Sequence, residues 1–237
     1  LPSWLLLPLM LLAGIAGGAL WSSIAGFLYI KRGVNLIIST LMLNYIGILL
    51  LQYAARVPLR EQGGFLPESA AFSTNAQIPT LFLGTRLHWG VVLAVVLVGV
   101  IYLVLWRTPL GFQLRAVGSS PSVARCSGIQ TNRSILIALM ISGALAGLAG
   151  IVEVSYTYAR LKTEISDSYG FTAILVALLG QLNPFGVLLS ALLFSALMVG
   201  AQSLNVVLQI PVSVAEVVQA LLVLCVLAGT AIAQRQP

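Results

Sequence analysis

The chain has 237 residues, of which 59% are hydrophobic and only 8% are charged. So little polar surface cannot cover a water-soluble globule of this size, which excludes a soluble domain and indicates an integral membrane protein. The net charge of +6 comes from basic residues scattered between apolar runs, so membrane topology explains it better than nucleic-acid binding.

Apolar segments follow one another along the whole chain. About 20 residues at 1.5 Å each match the roughly 30 Å hydrocarbon core of a bilayer. Stretches such as 91–106 and 135–152 are apolar on every face, which favours helices over the alternating strands of a barrel. We therefore predict an all-α, polytopic transmembrane helical bundle with about six spanning helices and one short or broken helix. The segments cover residues 3–22, 35–54, 88–106, 133–153, 171–181, 185–204 and 213–233.

Segment 171–181 is too short to span a bilayer comfortably. Pro184 cannot continue a helix without loss of a backbone hydrogen bond, so a break is predicted near Asn183. A short helix at membrane depth must be buried in protein or line a cavity, because lipid cannot satisfy its free backbone groups. Substrate routes in membrane proteins are often built from such pieces.

The chain begins at Leu1, inside or beside an apolar segment, without an initiator Met or a charged region before it. We interpret this start as a truncation and not as a signal peptide. Residues 1–237 are thus expected to form a single transmembrane domain that lacks its natural N-terminus.

The basic residues of the short loops give the expected orientation. If every long segment crosses once, seven of them share one side, which should be cytoplasmic. The acidic residues and five other basic residues then fall on the opposite side. The predicted cytoplasmic set is Lys31, Arg32, Arg107, Arg115, Arg125, Arg133 and Arg235, and the acids opposite are Glu61, Glu68, Glu153, Glu164, Asp167 and Glu216.

The segment centres contain almost no ionisable side chains, which argues against a proton- or ion-coupled carrier. Glu216 is the nearest candidate, but Ser213-Val-Ala-Glu216 has the spacing of a helix capping box. His88 is expected to be an interfacial residue, since no second His or Cys stands at metal-ligand spacing. The chain has no phosphate-binding loop, so we predict no catalytic residue, no metal site and no cofactor of its own.

Small residues recur four apart at three places. These pairs are Gly14 and Gly18, Gly143 and Gly147, and Ala146 and Gly150. Such spacing suits close helix contact. We expect ordinary packing within the bundle in preference to a dedicated dimer motif.

The basic loop at residues 107–132 is the most informative polar stretch. Ser119 or Ser120 could cap a short helix with Pro121 in its first turn, and Gly128 could end that helix. A short basic helix between two membrane crossings is suited to docking into a groove on a partner protein. A solvated connector that carries topology charges is an equal alternative from the residues alone.

This loop resembles the signature of permeases of ATP-binding-cassette (ABC) importers in the branched-chain amino acid, ribose and nucleoside group. Those proteins typically read GxxLRAxGxNPxAAxxxGI. Here Gly111-Phe-Gln-Leu-Arg-Ala-Val-Gly118 is followed by Pro121 and by Ala124-Arg-Cys-Ser-Gly-Ile129, with Ser120 where the family usually has Asn. The resemblance continues through 142–150 and 169–180, and the segment Ile38 to Ile46 is similar to the TxMLNYI segment of nucleoside (guanosine-type) uptake permeases.

The resemblance implies a complex in the cytoplasmic (inner) membrane of a prokaryote. Its parts would be two permease subunits, two ATPase subunits that hold ATP and Mg, and an extracytoplasmic substrate-binding lipoprotein. In that frame the loop 107–132 would hold a coupling helix that transmits closure of the ATPases to the membrane helices, with no chemistry in this chain. The coupling residues implied are Arg115, Gly118, Pro121, Ala124, Arg125, Gly128 and Ile129.

The substrate class implied is nucleosides or related sugars. A polar, uncharged substrate would suit a path of hydroxyls, amides and aromatic rings better than one of buried charges. The pathway candidates are Ser39, Thr40, Asn44, Tyr45, Tyr169, Phe171 and Thr172, although hydrogen bonding between helices explains Asn44 about as well. An ion-coupled secondary transporter and a non-transport membrane scaffold remain the alternatives.

Overall fold

The computed structural model describes residues 3–61, 68–73, 76–81, 87–163, 165, 169–208 and 213–233. α-Helices dominate this part of the chain, which confirms the predicted fold class. They are α1 (Ser3–Arg32), α2 (Leu36–Arg56), α3 (Trp89–Arg107), α4 (Pro109–Ser119), α5 (Pro121–Cys126), α6 (Thr131–Glu153), α7 (Tyr169–Leu179), α8 (Pro184–Leu208) and α9 (Ser213–Ala233), with a π-turn at Val154–Tyr158 after α6.

Five helices among the described residues are long and apolar enough to cross a membrane. They correspond to α1, α2, α3, α6 with its π-turn, and α8. Two shorter apolar helices, Tyr169–Leu179 and Val217–Val226, accompany them, and the second lies within the 21-residue α9. The chain is therefore a multi-pass helical membrane protein.

Helix α1 extends ten residues beyond the predicted end of its segment at residue 22. It continues to Arg32 and ends where Gly33 adopts a φ of +65°, the left-handed conformation that glycine allows. Hydropathy sets the apolar length of a segment, but the helix continues until the backbone turns. Lys31 and Arg32 thus lie in the last turn of α1 and not in a separate loop.

The chain divides into two compact units, residues 1–94 with 104–165 and residues 95–103 with 166–237. In the first unit, α1 packs closely against α6. A β-carbon on Gly18 would overlap the carbonyl oxygen of Gly143, and one on Gly147 would overlap that of Gly14. Two of the three predicted small-residue pairs therefore form one backbone contact within the bundle. The third pair does not contribute to it, since a β-carbon on Gly150 would meet nothing within 4 Å.

The second unit contains a tight hairpin between α7 and α8. Gln181 and Leu182 have positive φ values of 53° and 56°, and Asn183 Oδ1 accepts a hydrogen bond of 3.1 Å from the amide of Phe185. Helix α8 begins at Pro184, which confirms the predicted break. At 11 residues, α7 is about 16 Å long, roughly half of the hydrocarbon thickness.

The core of the second unit joins α7, α8 and α9. It consists of Val176, Phe194 and Val223, with Leu179 and Val187 packed against them. Because α8 follows the hairpin and α9 follows α8, one residue from each helix meets at this point. The core therefore fixes α7 against the longer helices α8 and α9.

Candidate functional site

A cavity of about 610 Å³, open to the surface of the chain, lies in the first unit between α1, α2 and α6. Glycines from all three helices line much of it, so helix backbone approaches its interior. Its polar lining side chains are neutral hydroxyls, one amide and one indole N–H, and no charged residue lines it. The side chains that give it chemical character are Trp21, Ser22, Thr40 and Asn44.

Thr40 and Asn44 lie one turn apart on the same face of α2, and both line the cavity. The Thr40 hydroxyl donates to the carbonyl oxygens of Leu36 and Ile37, each at 3.0 Å, so its proton is already engaged. Asn44 makes no comparable hydrogen bond among the described residues. Its amide can therefore both donate and accept towards a molecule in the cavity.

Trp21 is a cavity-lining residue that the sequence analysis did not identify as a candidate. Its indole lines the cavity and lies 3.8 Å from the position of a β-carbon on Gly47. If the segment ended at residue 22, Trp21 would lie at a membrane boundary, where tryptophan is common for reasons unrelated to a binding site. Because α1 continues to Arg32, the same residue lies well inside the helix. Trp21 could have been identified only if the end of α1 at Arg32 had been known.

The other two α2 candidates are not in the cavity lining. Ser39 is buried, and its hydroxyl donates to the carbonyl oxygen of Asn35 at 3.1 Å. Tyr45 is exposed outside the cavity lining. The geometry thus separates the four α2 candidates into a pair that shares a cavity and a pair that does not.

The three remaining pathway candidates belong to the second unit. Tyr169 and Phe171 are exposed in the first turn of α7, and Thr172 beside them is half-buried. They therefore form a local group at the start of the short helix. The two sets of candidates are described in separate units.

The loop 107–132 contains two consecutive helices, where the sequence predicted one. Helix α4 begins at Pro109, and Thr108 accepts a hydrogen bond from the amide of Gly111 at 3.1 Å. A β-carbon on Gly111 would overlap the carbonyl oxygens of Val104 and Leu105, so glycine permits the sharp turn from α3 into α4. The Arg115 guanidinium then lies over the Trp106 ring at 4.1 Å from its centroid, a cation–π contact between the two helices.

Helix α5 begins at Pro121 after an extended residue, Ser120. Neither predicted serine caps it. The Ser119 hydroxyl donates back to the carbonyl oxygen of Ala116 within α4, and the Ser120 hydroxyl lies 3.2 Å from that of Ser122. The expectation of a serine cap was wrong, because each hydroxyl finds a nearer partner.

The end of α5 follows the expected pattern. Gly128 has a φ of +80°, and the amide of Ile129 donates to the carbonyl oxygen of Ala124 at 3.0 Å. This bond closes the helix end in the manner of a glycine C-terminal cap. The turn directs the chain into α6, which begins at Thr131.

The predicted coupling residues divide by exposure. Ala124 is only 3% exposed and anchors α5, whereas Val123 beside it is 63% exposed. Arg115, Gly118, Pro121, Arg125 and Gly128 are exposed, and Ile129 is half-buried. The α4–α5 pair therefore presents a surface with arginine and apolar side chains, and residues 107–152 contain no acid.

A second cluster of charges connects the segment after α2 to the segment after the π-turn. Arg160 lies 3.6 Å from Glu61 and 3.5 Å from Glu68, and Lys162 lies 3.5 Å from Glu68. These partly exposed pairs contribute little stability each. They bring together residues that the positive-inside pattern placed on one side of the membrane.

His88 caps α3 beside this region. Its Nδ1 accepts a hydrogen bond of 3.1 Å from the amide of Gly90, and its ring stacks on Tyr156 at 3.8 Å between centroids. Burial lowers the pKa of His88 below its usual 6.5, and the Glu153 carboxylate partly opposes that shift. Glu164, Asp167 and Arg235, and the side chain of Glu216, lie outside the described residues.

Comparison with known proteins places residues 2–227 within the sequence pattern described as "branched-chain amino acid transport system / permease component". The chain is 37% identical to a glucose ABC transporter permease of Haloferax volcanii, over 94% of this chain and 62% of the relative. It is 32% identical to a guanosine ABC transporter permease of Bacillus subtilis, over 98% and 67%. A nucleoside ABC transporter permease of Lactococcus lactis is 31% identical, over 86% and 59%.

The chain thus spans about 60% to two thirds of the length of these curated relatives. No solved structure matches it.

Proposed function

Because the chain belongs to the family of permease components of branched-chain amino acid transport systems, we propose that it is the permease subunit of an ATP-driven importer. The α4–α5 pair is the observation that carries the proposal beyond family membership. It places an anchored pair of short helices between two membrane-crossing helices, α3 and α6. The exposed Val123 and Arg125 on α5 suit a groove on a partner protein.

In this proposal the α4–α5 pair is the lever between the ATPases and the membrane helices. Thr108, Gly111 and the Arg115–Trp106 contact attach α4 to the end of α3. The bond from Ile129 to Ala124 closes the short turn that leads from α5 into α6. A partner that displaces α5 would therefore move both spanning helices, and rigid-body motion would transmit the change.

The proposed partners are an ABC ATPase subunit, a second permease subunit and an extracytoplasmic binding lipoprotein. ATP and Mg would bind to the ATPase, since this chain has no phosphate-binding loop. The basic, acid-free loop 107–132 supports a cytoplasmic position for α4 and α5. The location proposed is the cytoplasmic (inner) membrane of a prokaryote.

The proposed cargo is a nucleoside or a related sugar. The cavity that Trp21, Thr40 and Asn44 line is neutral, which suits an uncharged molecule with hydroxyl groups. The Asn44 amide can exchange hydrogen bonds with hydroxyls, and the Trp21 indole offers an apolar face to a base or a sugar ring. Relatives named for guanosine, nucleosides and glucose support this range.

Reconstitution tests the function directly. The full-length protein should be placed in liposomes with its ATPase, second permease and binding protein, and uptake of labelled guanosine, ribose and glucose measured. We expect uptake to require ATP, and substrate-loaded binding protein to stimulate ATP hydrolysis. Uptake that survives ATP depletion but fails when an ion gradient collapses would instead identify a secondary transporter. Stable co-purification without any stimulated hydrolysis would identify a scaffold.

Cavity variants test the cargo assignment. Asn44→Leu should remove the exchange of hydrogen bonds while it keeps a similar volume, and we expect uptake to fall about tenfold. Tyr45→Phe is the matched control, because Tyr45 lies on the same helix outside the cavity lining. Equal losses in the two variants would remove the cavity from the pathway without affecting the assignment as a permease.

A further inference from the structure

A second cavity, of about 600 Å³, lies within the first unit between α4, the turn after α5 and the first turns of α6. Its polar lining includes Gln113, Ser127, Gln130 and Arg133. Ile137, one turn further along α6 than Arg133, and Leu110 at the start of α4 give it an apolar side. We call this cavity the α4–α6 groove. One side of the groove is therefore lined by hydrogen-bond donors and a cation, and the other side by aliphatic side chains.

The start of α6 leaves its donors available. Gln130 occupies the capping position, but its side chain accepts no hydrogen bond from the helix, and no acid lies in the first turn. The first helical bond within α6 runs from the amide of Ser134 to the carbonyl oxygen of Gln130. The amides of the first turn therefore face this end without a capping side chain among the described residues, and they carry the positive end of the helix dipole.

A buried hydroxyl at the same terminus, on a residue next to the groove lining and not part of it, also lacks a partner. Thr131 is 6% exposed, and its Oγ1 makes no hydrogen bond in the described part of the chain. Arg133 lines the groove, and no ion pair to a described acid is found for it. A cation and several unused donors at one helix start form a setting for an anion with several oxygen acceptors.

We propose that the α4–α6 groove binds the phosphate headgroup of an anionic phospholipid. Arg133 and the start of α6 would hold the phosphate, and Leu110 and Ile137 would contact the first carbons of the lipid. Phe112 on α4 is 62% exposed, so α4 offers an apolar side chain to a membrane surface as interfacial helices do. Basic pockets between membrane helices on the cytoplasmic side are suited to such headgroups.

The charge pattern supports an anion at this place. Residues 107–152 contain four arginines and no carboxylate, so no acid of this stretch competes for Arg133. A lipid held here would join α4 to α6 beside α5, which goes beyond the proposed transport function. The expected consequence is a permease whose thermal stability depends on anionic lipid.

The test uses the full-length protein in two kinds of nanodisc, one of phosphatidylcholine alone and one with phosphatidylglycerol added. We expect phosphatidylglycerol to raise the Tm, and native mass spectrometry after extraction to show retained phosphatidylglycerol. Arg133→Gln should weaken that retention about tenfold through loss of a charge-assisted hydrogen bond, whereas Arg133→Lys should keep most of it. Arg56→Gln, at the C-terminal end of α2, is the matched control with the same loss of charge.

Equal retention by the wild type and Arg133→Gln would overturn the proposal, as would an equal loss in Arg56→Gln. If Arg133→Gln does not fold, Gln113→Glu decides, because a carboxylate in the groove should expel the phosphate. Inorganic phosphate is added separately to protein in detergent. A Tm rise with phosphate alone that Arg133→Gln abolishes would identify a free-anion site and overturn the lipid assignment. Substrate-stimulated ATP hydrolysis without a lipid effect would contradict this inference and leave the permease function intact.

Discussion

Gly18 and Gly143 pack backbone against backbone, so that a β-carbon on either residue would overlap the carbonyl oxygen of the other. Gly143→Ala should therefore push α1 away from α6. We expect it to lower stability by about 1–3 kcal/mol, the usual cost of overpacking, and to lower the Tm measured in detergent.

Gly150→Ala is the control for this change, because a β-carbon at Gly150 meets nothing within 4 Å. It lies on the same helix, and alanine favours helix more than glycine does. Its Tm should be unchanged or slightly raised. A similar Tm for both alanine variants would show that the α1–α6 contact is not close-packed.

His88 should make stability depend on pH. Burial holds the pKa of this imidazole, which lies outside the spanning helices, below 6.5. The unfolded chain therefore binds the proton first as pH falls. The stability that the neutral ring contributes is present above pH 6.5 and is lost as pH falls through the lower pKa of the folded state. Protonation at Nδ1 also removes the acceptor for the Gly90 amide.

The measurement is the Tm from about pH 8 down to about pH 5. His88→Asn supplies a side-chain acceptor without a titrating ring, so its Tm should lose this part of the pH dependence. Glu153→Gln should extend the fall in Tm to lower pH and make it larger, because it removes the charge that raises the pKa of His88 in the folded protein. An unchanged pH profile in His88→Asn would assign the dependence to other groups.

Ser120→Asn should strengthen the start of α5. The present serine hydroxyl lies against Ser122 and caps no amide, whereas asparagine is a strong N-cap residue whose side chain can accept from the amide two or three positions on. We expect slower hydrogen exchange at Ser122 or Val123, by a factor that corresponds to about 0.5–1 kcal/mol. Ser120→Ala should leave exchange there nearly unchanged, and an equal acceleration in that variant would mean that Ser120 does cap α5.

Local signals predicted the features that depend on local sequence. Pro184 predicts the start of α8. The lengths of the apolar segments predict the long helices, and only the short segments stay ambiguous. The end of α1 was missed, because residues 23–32 stay helical after the apolar length that hydropathy measures is complete. The absent serine cap depends on which of several nearby acceptors each hydroxyl reaches, and spacing alone does not decide that.

The residues of the candidate site also divide into those that local sequence predicts and those that it does not. Thr40 and Asn44 share a face because they are four residues apart on one helix, and spacing predicts such a pair. Trp21 joins them because glycines bring α1 close to its neighbours. That contact is between distant parts of the chain, so it depends on tertiary packing that no short motif records.

The polar side chain of Gln219 should lower the stability of the folded protein. It is 2% exposed on α9, and its Nε2 has no hydrogen-bond partner among the described residues. A buried donor left unpaired costs about 1–3 kcal/mol, so Gln219→Leu should raise the Tm. Gln202→Leu, at an exposed position on α8, should change it little. A lower Tm for Gln219→Leu would show that the amide is satisfied in the folded protein.

Arg125→Glu should separate ATP hydrolysis from transport. Arg125 is exposed on α5 next to the buried Ala124, so the reversed charge should alter the docking surface while the anchor of the helix stays in place. In the reconstituted complex we expect an unchanged Tm and normal membrane insertion. Substrate-stimulated ATP hydrolysis and uptake should each fall at least tenfold, since one desolvated charge contact is worth more than about 1.4 kcal/mol.

Two variants show whether the effect belongs to this surface. Arg125→Lys keeps the charge and should retain part of the coupling, although lysine lacks the planar fork of arginine. Arg56→Glu makes the same charge reversal at the C-terminal end of α2, and should leave hydrolysis coupled. Normal substrate-stimulated hydrolysis in Arg125→Glu would remove α5 from the coupling role, because a docking helix cannot tolerate a reversed charge at its exposed centre and still transmit the motion of its partner.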